Sequence, residues 1–79
     1  MPRFFFDYVT SDQRLYDYRG EEFKSPRAAM DFAVTITEHL EHDLRTDWIG
    51  WQVEVRNAGG LKLSSFPVLK NILSGAADL

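Results

Sequence analysis

Only one stretch of this chain repeats with the period of a helix, and it lies between two stretches that repeat with the period of a strand. Ser25-Pro26 opens it. Serine caps orphan N–H groups, and proline fits the first helical turn, where an N–H has no intrahelical acceptor. From Pro26 to about Arg45, the residues Ala29, Phe32, Ala33, Ile36, Leu40 and Leu44 fall on one apolar stripe. Met30 and Val34 widen its edge. Arg27, Asp31, Glu38, Glu41 and Arg45 fall opposite, with Glu41 and Arg45 spaced as a favourable i,i+4 pair. A lone helix with one apolar stripe has to bury it against something else, and the flanking segments supply a sheet.

Before the helix, Arg3 to Val9 puts Phe4, Phe6 and Tyr8 on one strand face and Arg3, Phe5, Asp7 and Val9 on the other. Thr10 to Gln13 is a polar turn, and Arg14 to Tyr18 reads as the antiparallel partner. Asp17 to Gly20 makes a second turn, with Gly20 free to take positive φ. After the helix, Trp51 to Arg56 alternates apolar and polar. Asn57 to Gly60 forms a hairpin turn that needs positive φ at one of its two glycines, and Leu61 to Ser65 returns. Pro67 either blocks further pairing or starts a helical turn through Val68, Leu69, Ile72 and Leu73. Ser74 to Leu79 reads as a frayed tail. The expected fold is α+β: a four-stranded antiparallel sheet from two hairpins with one packed helix, in the order β-β-α-β-β. Residues 1–66 form that single domain and residues 67–79 a C-terminal extension. Strand order does not follow from the pattern.

Composition narrows the setting. Among 79 residues there is no cysteine, so there is no disulfide, no thiolate nucleophile and no zinc site of the cysteine type. Asp7 cuts the phenylalanine run too early for a secretory signal, and nothing approaches the roughly 20 apolar residues of a membrane span. A cytoplasmic location is the expectation. The net charge of −3 disfavours binding to nucleic acid through phosphates.

The order of motifs resembles a known family. Met1-Pro2-Arg3 followed by Phe4-Phe5-Phe6-Asp7 comes first, and Asp17-x-x-Gly20 follows. Ala28, Ala29 and Ala33 are spaced along the helix, and Glu54-Val55-Arg56 precedes a polar-glycine turn and a last strand. Together these resemble the small bacterial family called domain of unknown function 6894, over residues 1–66. The opening seven residues and the Glu-Val-Arg hairpin are the specific parts. The first turn lacks the Asp-Gly common in that family, and the segment from Pro67 onward is particular to this chain. The resemblance implies no activity and no site residues.

Chemistry-bearing patterns are sparse. Glu38-His39-Leu40-Glu41-His42-Asp43 places Glu38 with His42 and His39 with Asp43 at i,i+4, but the order matches neither the zinc-protease motifs nor a di-iron bundle. It reads as a solvated helix end that binds no metal. Ser11, Ser25, Ser64, Ser65 and Ser74 have turn, cap or strand explanations, and there is no G-x-S-x-G. Gly59-Gly60 opens no helix, so it is not a phosphate loop. The expectation is no catalysis and no cofactor.

What remains is surface. One helix covers one sheet face, so Phe5 lies on the other, with Val9, Leu15 and Tyr16 as candidate apolar neighbours. Val68, Leu69, Ile72 and Leu73 are candidates to cover that patch, from the same chain or from a second copy. Exposed apolar patches mark partner surfaces. The chain is therefore expected to be a non-catalytic protein-interaction or regulatory module, as a homodimer or bound to another protein. The alternative is a nucleic-acid-associated module. It would use the sheet face with Arg3, Arg14, Arg19, Arg56 and Lys62, beside Phe5, Tyr16 and Tyr18. Asp7, Asp17, Glu21, Glu22 and Glu54 interrupt that face.

Overall fold

A computed structural model describes residues 1–71. Its elements run β1 (Arg3–Val9), β2 (Arg14–Leu15), β3 (Glu21–Glu22), α1 (Pro26–Glu41), β4 (Gln52–Asn57) and β5 (Lys62–Pro67). All pairings are antiparallel. The order across the sheet is β2-β1-β4-β5, with β3 on the same side of β1 as β2. The expected α+β fold of two hairpins and one helix holds, with the second strand split in two. The two halves of the chain meet along β1 and β4, the inner strands. Their register sets Phe5 opposite Arg56 and Asp7 opposite Glu54.

The apolar face of β1 carries the core, as its alternation predicts. Phe4, Phe6, Val53 and Val55 are buried against Ala29, Ala33 and Leu40 of the helix. The two alanines are wholly buried and let α1 approach the sheet closely. Phe6 meets Phe32 edge-on, with centroids 5.2 Å apart, and Tyr8, Trp48 and Trp51 continue the aromatic layer toward the helix C-terminus. Aromatic rings are how so short a chain reaches sufficient buried area.

The helix starts as predicted. Ser25 Oγ accepts the Ala28 N–H, and Pro26 occupies the first turn. It ends at Glu41, about one turn before Arg45, with His42 as C-cap. The Asp43 carboxylate takes the Arg45 N–H and the Trp48 indole N–H, which turns the chain toward the sheet. Leu44, placed on the apolar stripe by periodicity, is therefore two-thirds exposed. Glu41 does not pair with Arg45; it is buried and accepts the Leu69 N–H at 3.2 Å. Thr37 enters the core unannounced, because its hydroxyl is satisfied by the Val34 carbonyl at 2.6 Å.

Two of the expected turns need glycine. Gly20 has φ 68° and Gly60 has φ 88°. Asn57 Oδ1 binds the N–H groups of Gly59 and Leu61 and holds the second hairpin. Gly50, in the connection after the helix, also has positive φ. Pro67 is the last residue of β5. The Val68 N–H still reaches the Trp51 carbonyl, and Val68 closes the core on the helix side. Ile72, Leu73 and the segment read as a frayed tail lie outside the described residues.

Candidate functional site

The second strand is broken at one place, and that break builds the most distinctive surface of the molecule. Between the pairs Tyr8↔Leu15 and Phe4↔Glu21, β1 advances four residues while the opposite chain advances six. The surplus is the loop Tyr16 to Gly20. Its pivot is Asp17. One carboxylate oxygen accepts the N–H groups of Arg19 and Gly20, and the other accepts the Phe6 N–H at 3.1 Å. A side chain thus takes the place that a strand carbonyl would fill.

The loop is tied down from the outer sheet face. Asp7 is fully buried there. Its Oδ1 accepts the Asp17 N–H at 2.9 Å. Its Oδ2 accepts Arg14 Nη1 at 2.9 Å and Arg56 Nε at 2.8 Å. Glu54 receives both Arg14 terminal nitrogens, and Arg56 also donates to the Asp17 carbonyl. Among the described residues no buried side-chain polar atom lacks a partner. The hydrogen bonds and charge of Glu54, then those of Asp7, raise the Arg14 guanidinium pKa above its ordinary value.

Phe5 lies on this same face. The Arg56 guanidinium stacks over its ring at 4.6 Å, and its edge abuts Gly20. Among the described residues its cover is therefore a cation and a loop. Val68 belongs to the core instead, and Leu69 is exposed. Leu15 sits opposite Tyr8 and so faces the helix side, with Tyr16 beside it. The expected patch of Phe5, Val9, Leu15, Tyr16, Val68 and Leu69 is thus not continuous. Leu15 takes the face of Tyr8 through the register of the first hairpin, which alternation within one strand does not give. Phe5→Ala is expected to cost about 1–2 kcal/mol, below the cost for a core phenylalanine. Its melting temperature should be independent of protein concentration, which thermal scans over a concentration series would check.

On the helix side the departing loop leaves a groove of about 460 Å³. Phe6, Tyr8 and Leu15 form one side, Phe32 and Ile36 the other, and Tyr16, Asp17, Gly20 and Glu21 the rim. Tyr16 and Tyr18 approach each other at 5.9 Å on the loop, and Tyr18 is 87% exposed. Burial, and then the nearby Asp17 charge, raise the Tyr8 hydroxyl pKa, so it stays a neutral donor. Partial burial alone would raise the Asp17 carboxyl pKa. The N–H groups of Gly20, Phe6 and Arg19 and the Arg56 charge outweigh it and hold the group below its ordinary value.

That depressed pKa makes stability pH-dependent. The contribution of Asp17 is fully present above the unfolded carboxylate value of about 3.9 and fades as pH falls through the folded value. Asp17→Asn should cost about 1–2 kcal/mol at pH 7. Denaturant titrations from pH 7 to pH 2.5 should show the gap between the two proteins narrowing below about pH 4.

The residues that carried the family resemblance meet here. Asp7 of the opening motif, Asp17 and Gly20 of Asp-x-x-Gly, and Glu54 and Arg56 of the second hairpin form one connected cluster. A family model described as Domain of unknown function (DUF6894) matches residues 3–69. The chain belongs to this family. The DUF6894 match includes Val68, which completes the core. Comparison with curated proteins and with solved structures gives no match. Within this DUF6894 chain, His39 and His42 do not converge on other ligands. His42 Nδ1 contacts the Glu38 carbonyl at 2.8 Å, and no group of three metal-ligating side chains occurs among the described residues. No helix among those residues is long and apolar enough to cross a membrane.

Proposed function

We propose that this protein is a non-catalytic protein-interaction module whose contact surface is the groove and the tyrosine loop beside it. The single observation that carries the reading is an apolar groove bordered by exposed tyrosines on a loop held by at least five hydrogen bonds to Asp7, Asp17 and Arg56. Tyrosine presents large area with few rotatable bonds, and a loop already held in place loses little entropy on binding. Asp17, the carboxylate central to the site, has both oxygens occupied by N–H donors, which suits a structural part better than acid–base work.

The nucleic-acid alternative draws less support. Four of its five cations are engaged with carboxylates: Arg3 with Glu22, Arg14 with Asp7 and Glu54, Arg56 with Asp7, and Lys62 with Glu54. Neutralised cations release few counterions.

A photo-crosslinking side chain placed at Tyr18, with a control at Lys62 on the opposite face, tests the reading in cells of the native host. A discrete adduct is expected from position 18 and not from position 62. Leu15→Glu, a half-exposed groove position, should abolish it without lowering the melting temperature appreciably. Mass spectrometry of the adduct decides whether the partner is a second copy of the chain. Equal adducts from both positions, or none from position 18, would sink the proposal.

A further inference from the structure

The chemistry of the groove specifies its occupant, granted the interaction reading on which this step rests. Two routes by which a module recognises a peptide are addition of a strand and reading of an extended, self-sufficient helix. Strand addition needs free backbone donors and acceptors on a sheet edge. Here the edge donor that faces the groove region, the Phe6 N–H, is already bound by the Asp17 carboxylate. That carboxylate is in turn fixed by Arg19, Gly20 and the contact of its own backbone N–H with Asp7. The edge is closed to a strand from within.

What the groove offers instead is side chains. Tyr8, Tyr16 and Phe32 present aromatic surface over the buried Phe6, and the tyrosine hydroxyls can donate to carbonyls. Among the described residues the lining holds two carboxylates, Asp17 and Glu21. The nearby cation, the Arg14 guanidinium over the Tyr16 ring at 5.5 Å, is already paired with Asp7 and Glu54. Glu21 is exposed and has no ion-pair partner among the described residues. A polyproline II segment matches each of these features. It makes no internal hydrogen bonds, so its carbonyls are free to accept from tyrosine. Its proline rings stack on aromatic walls, and it needs few N–H partners because proline has none. A flanking arginine or lysine would meet the unpaired Glu21 charge.

We infer that the groove between α1 and the Tyr16–Gly20 loop binds a proline-rich peptide segment carrying a basic residue, with Glu21 receiving the cation and Tyr8 and Tyr16 contacting the proline backbone. The test uses the full chain, labelled with nitrogen-15. It is titrated separately with three ten-residue peptides of equal positive charge: one proline-rich with a single arginine, one apolar helix former, and one valine- and threonine-rich strand former. The proline-rich peptide is expected to shift the amides of Leu15, Tyr16, Glu21 and Ile36 with a Kd below about 1 mM. Glu21→Lys should weaken it by roughly tenfold or more while leaving the melting temperature unchanged. No shift of those amides by the proline-rich peptide at about 1 mM overturns the inference. If the helix or strand peptide shifts them instead, the occupant is wrong and the interaction reading stands. If none of the three does, and the position-18 adduct is also absent, both fail together.

Discussion

Asp7→Ala is expected to cost about 3–5 kcal/mol, the range for removing one partner of a buried ion pair. Asp7 is fully buried and is the shared acceptor of Arg14, Arg56 and the Asp17 N–H. Its loss strands two partly buried guanidinium groups beside one remaining carboxylate, Glu54, and frees the loop that covers Phe5. For a domain of this size each kcal/mol corresponds to about 4–8 °C, so the melting temperature should fall by at least about 12 °C. Asp7→Asn keeps the shape and one acceptor for the Asp17 N–H but lacks the charge, and should cost roughly half as much. Urea unfolding of both variants, with a double-mutant cycle against Arg56→Met, measures the coupling. A loss under about 1 kcal/mol for Asp7→Ala would mean that water replaces the network at little cost.

Gly20→Ala should be nearly as damaging, at about 2–4 kcal/mol, for a different reason. Gly20 has φ 68°, and a Cβ there would lie 2.8 Å from the Phe4 carbonyl oxygen, 2.8 Å from Phe5 Cε1 and 2.9 Å from Arg3 Cγ. Phenylalanine and arginine side chains can move, but the carbonyl belongs to an inner strand and cannot. Gly60→Ala is the matched control. Its φ is 88°, and nothing lies within 4 Å of the Cβ position, so only the left-handed strain of about 1–2 kcal/mol applies. The two thermal unfolding curves should therefore separate clearly. Because Gly20 also lines the groove, Gly20→Ala should disturb the amides of Tyr16 and Glu21, whereas Gly60→Ala should leave them in place. Equal destabilisation by the two substitutions would show that the loop yields to relieve the contact.

Residues whose neighbours lie close in sequence were legible in advance. Ser25 and Pro26 fixed the helix start because a cap acts within one turn. Phe4, Phe6, Val53 and Val55 were placed inward because alternation along a strand depends only on the strand itself. Gly20 and Gly60 followed from turn chemistry. The helix end was misjudged because it depends on where Trp48 sits, and Asp43 spends its carboxylate on that indole. The Arg56 contact on Phe5 was not legible for a similar reason: Arg56 lies far along the chain and reads locally as a solvated cation.

The sequence by itself determined the helix start, the inner strands β1 and β4 with their apolar faces, and the motifs the chain shares with its family. Those properties come from backbone sterics and periodicity, and both act over a few residues. Only the tertiary structure decided that β1 lies beside β4. That pairing brings Asp7 within hydrogen-bonding distance of Arg56 and Arg14 within reach of Glu54, partners 49 and 40 positions apart. It also decided that the second strand leaves the sheet at Tyr16 and rejoins it at Glu21, opening the groove. The Asp17-x-x-Gly20 turn marks locally where the chain bends, but not that it leaves β1 and returns to it. There the Asp17 carboxylate accepts the Phe6 N–H in place of a strand carbonyl, and Asp7 and Arg56, assembled from distant strands, hold the loop where that bond forms.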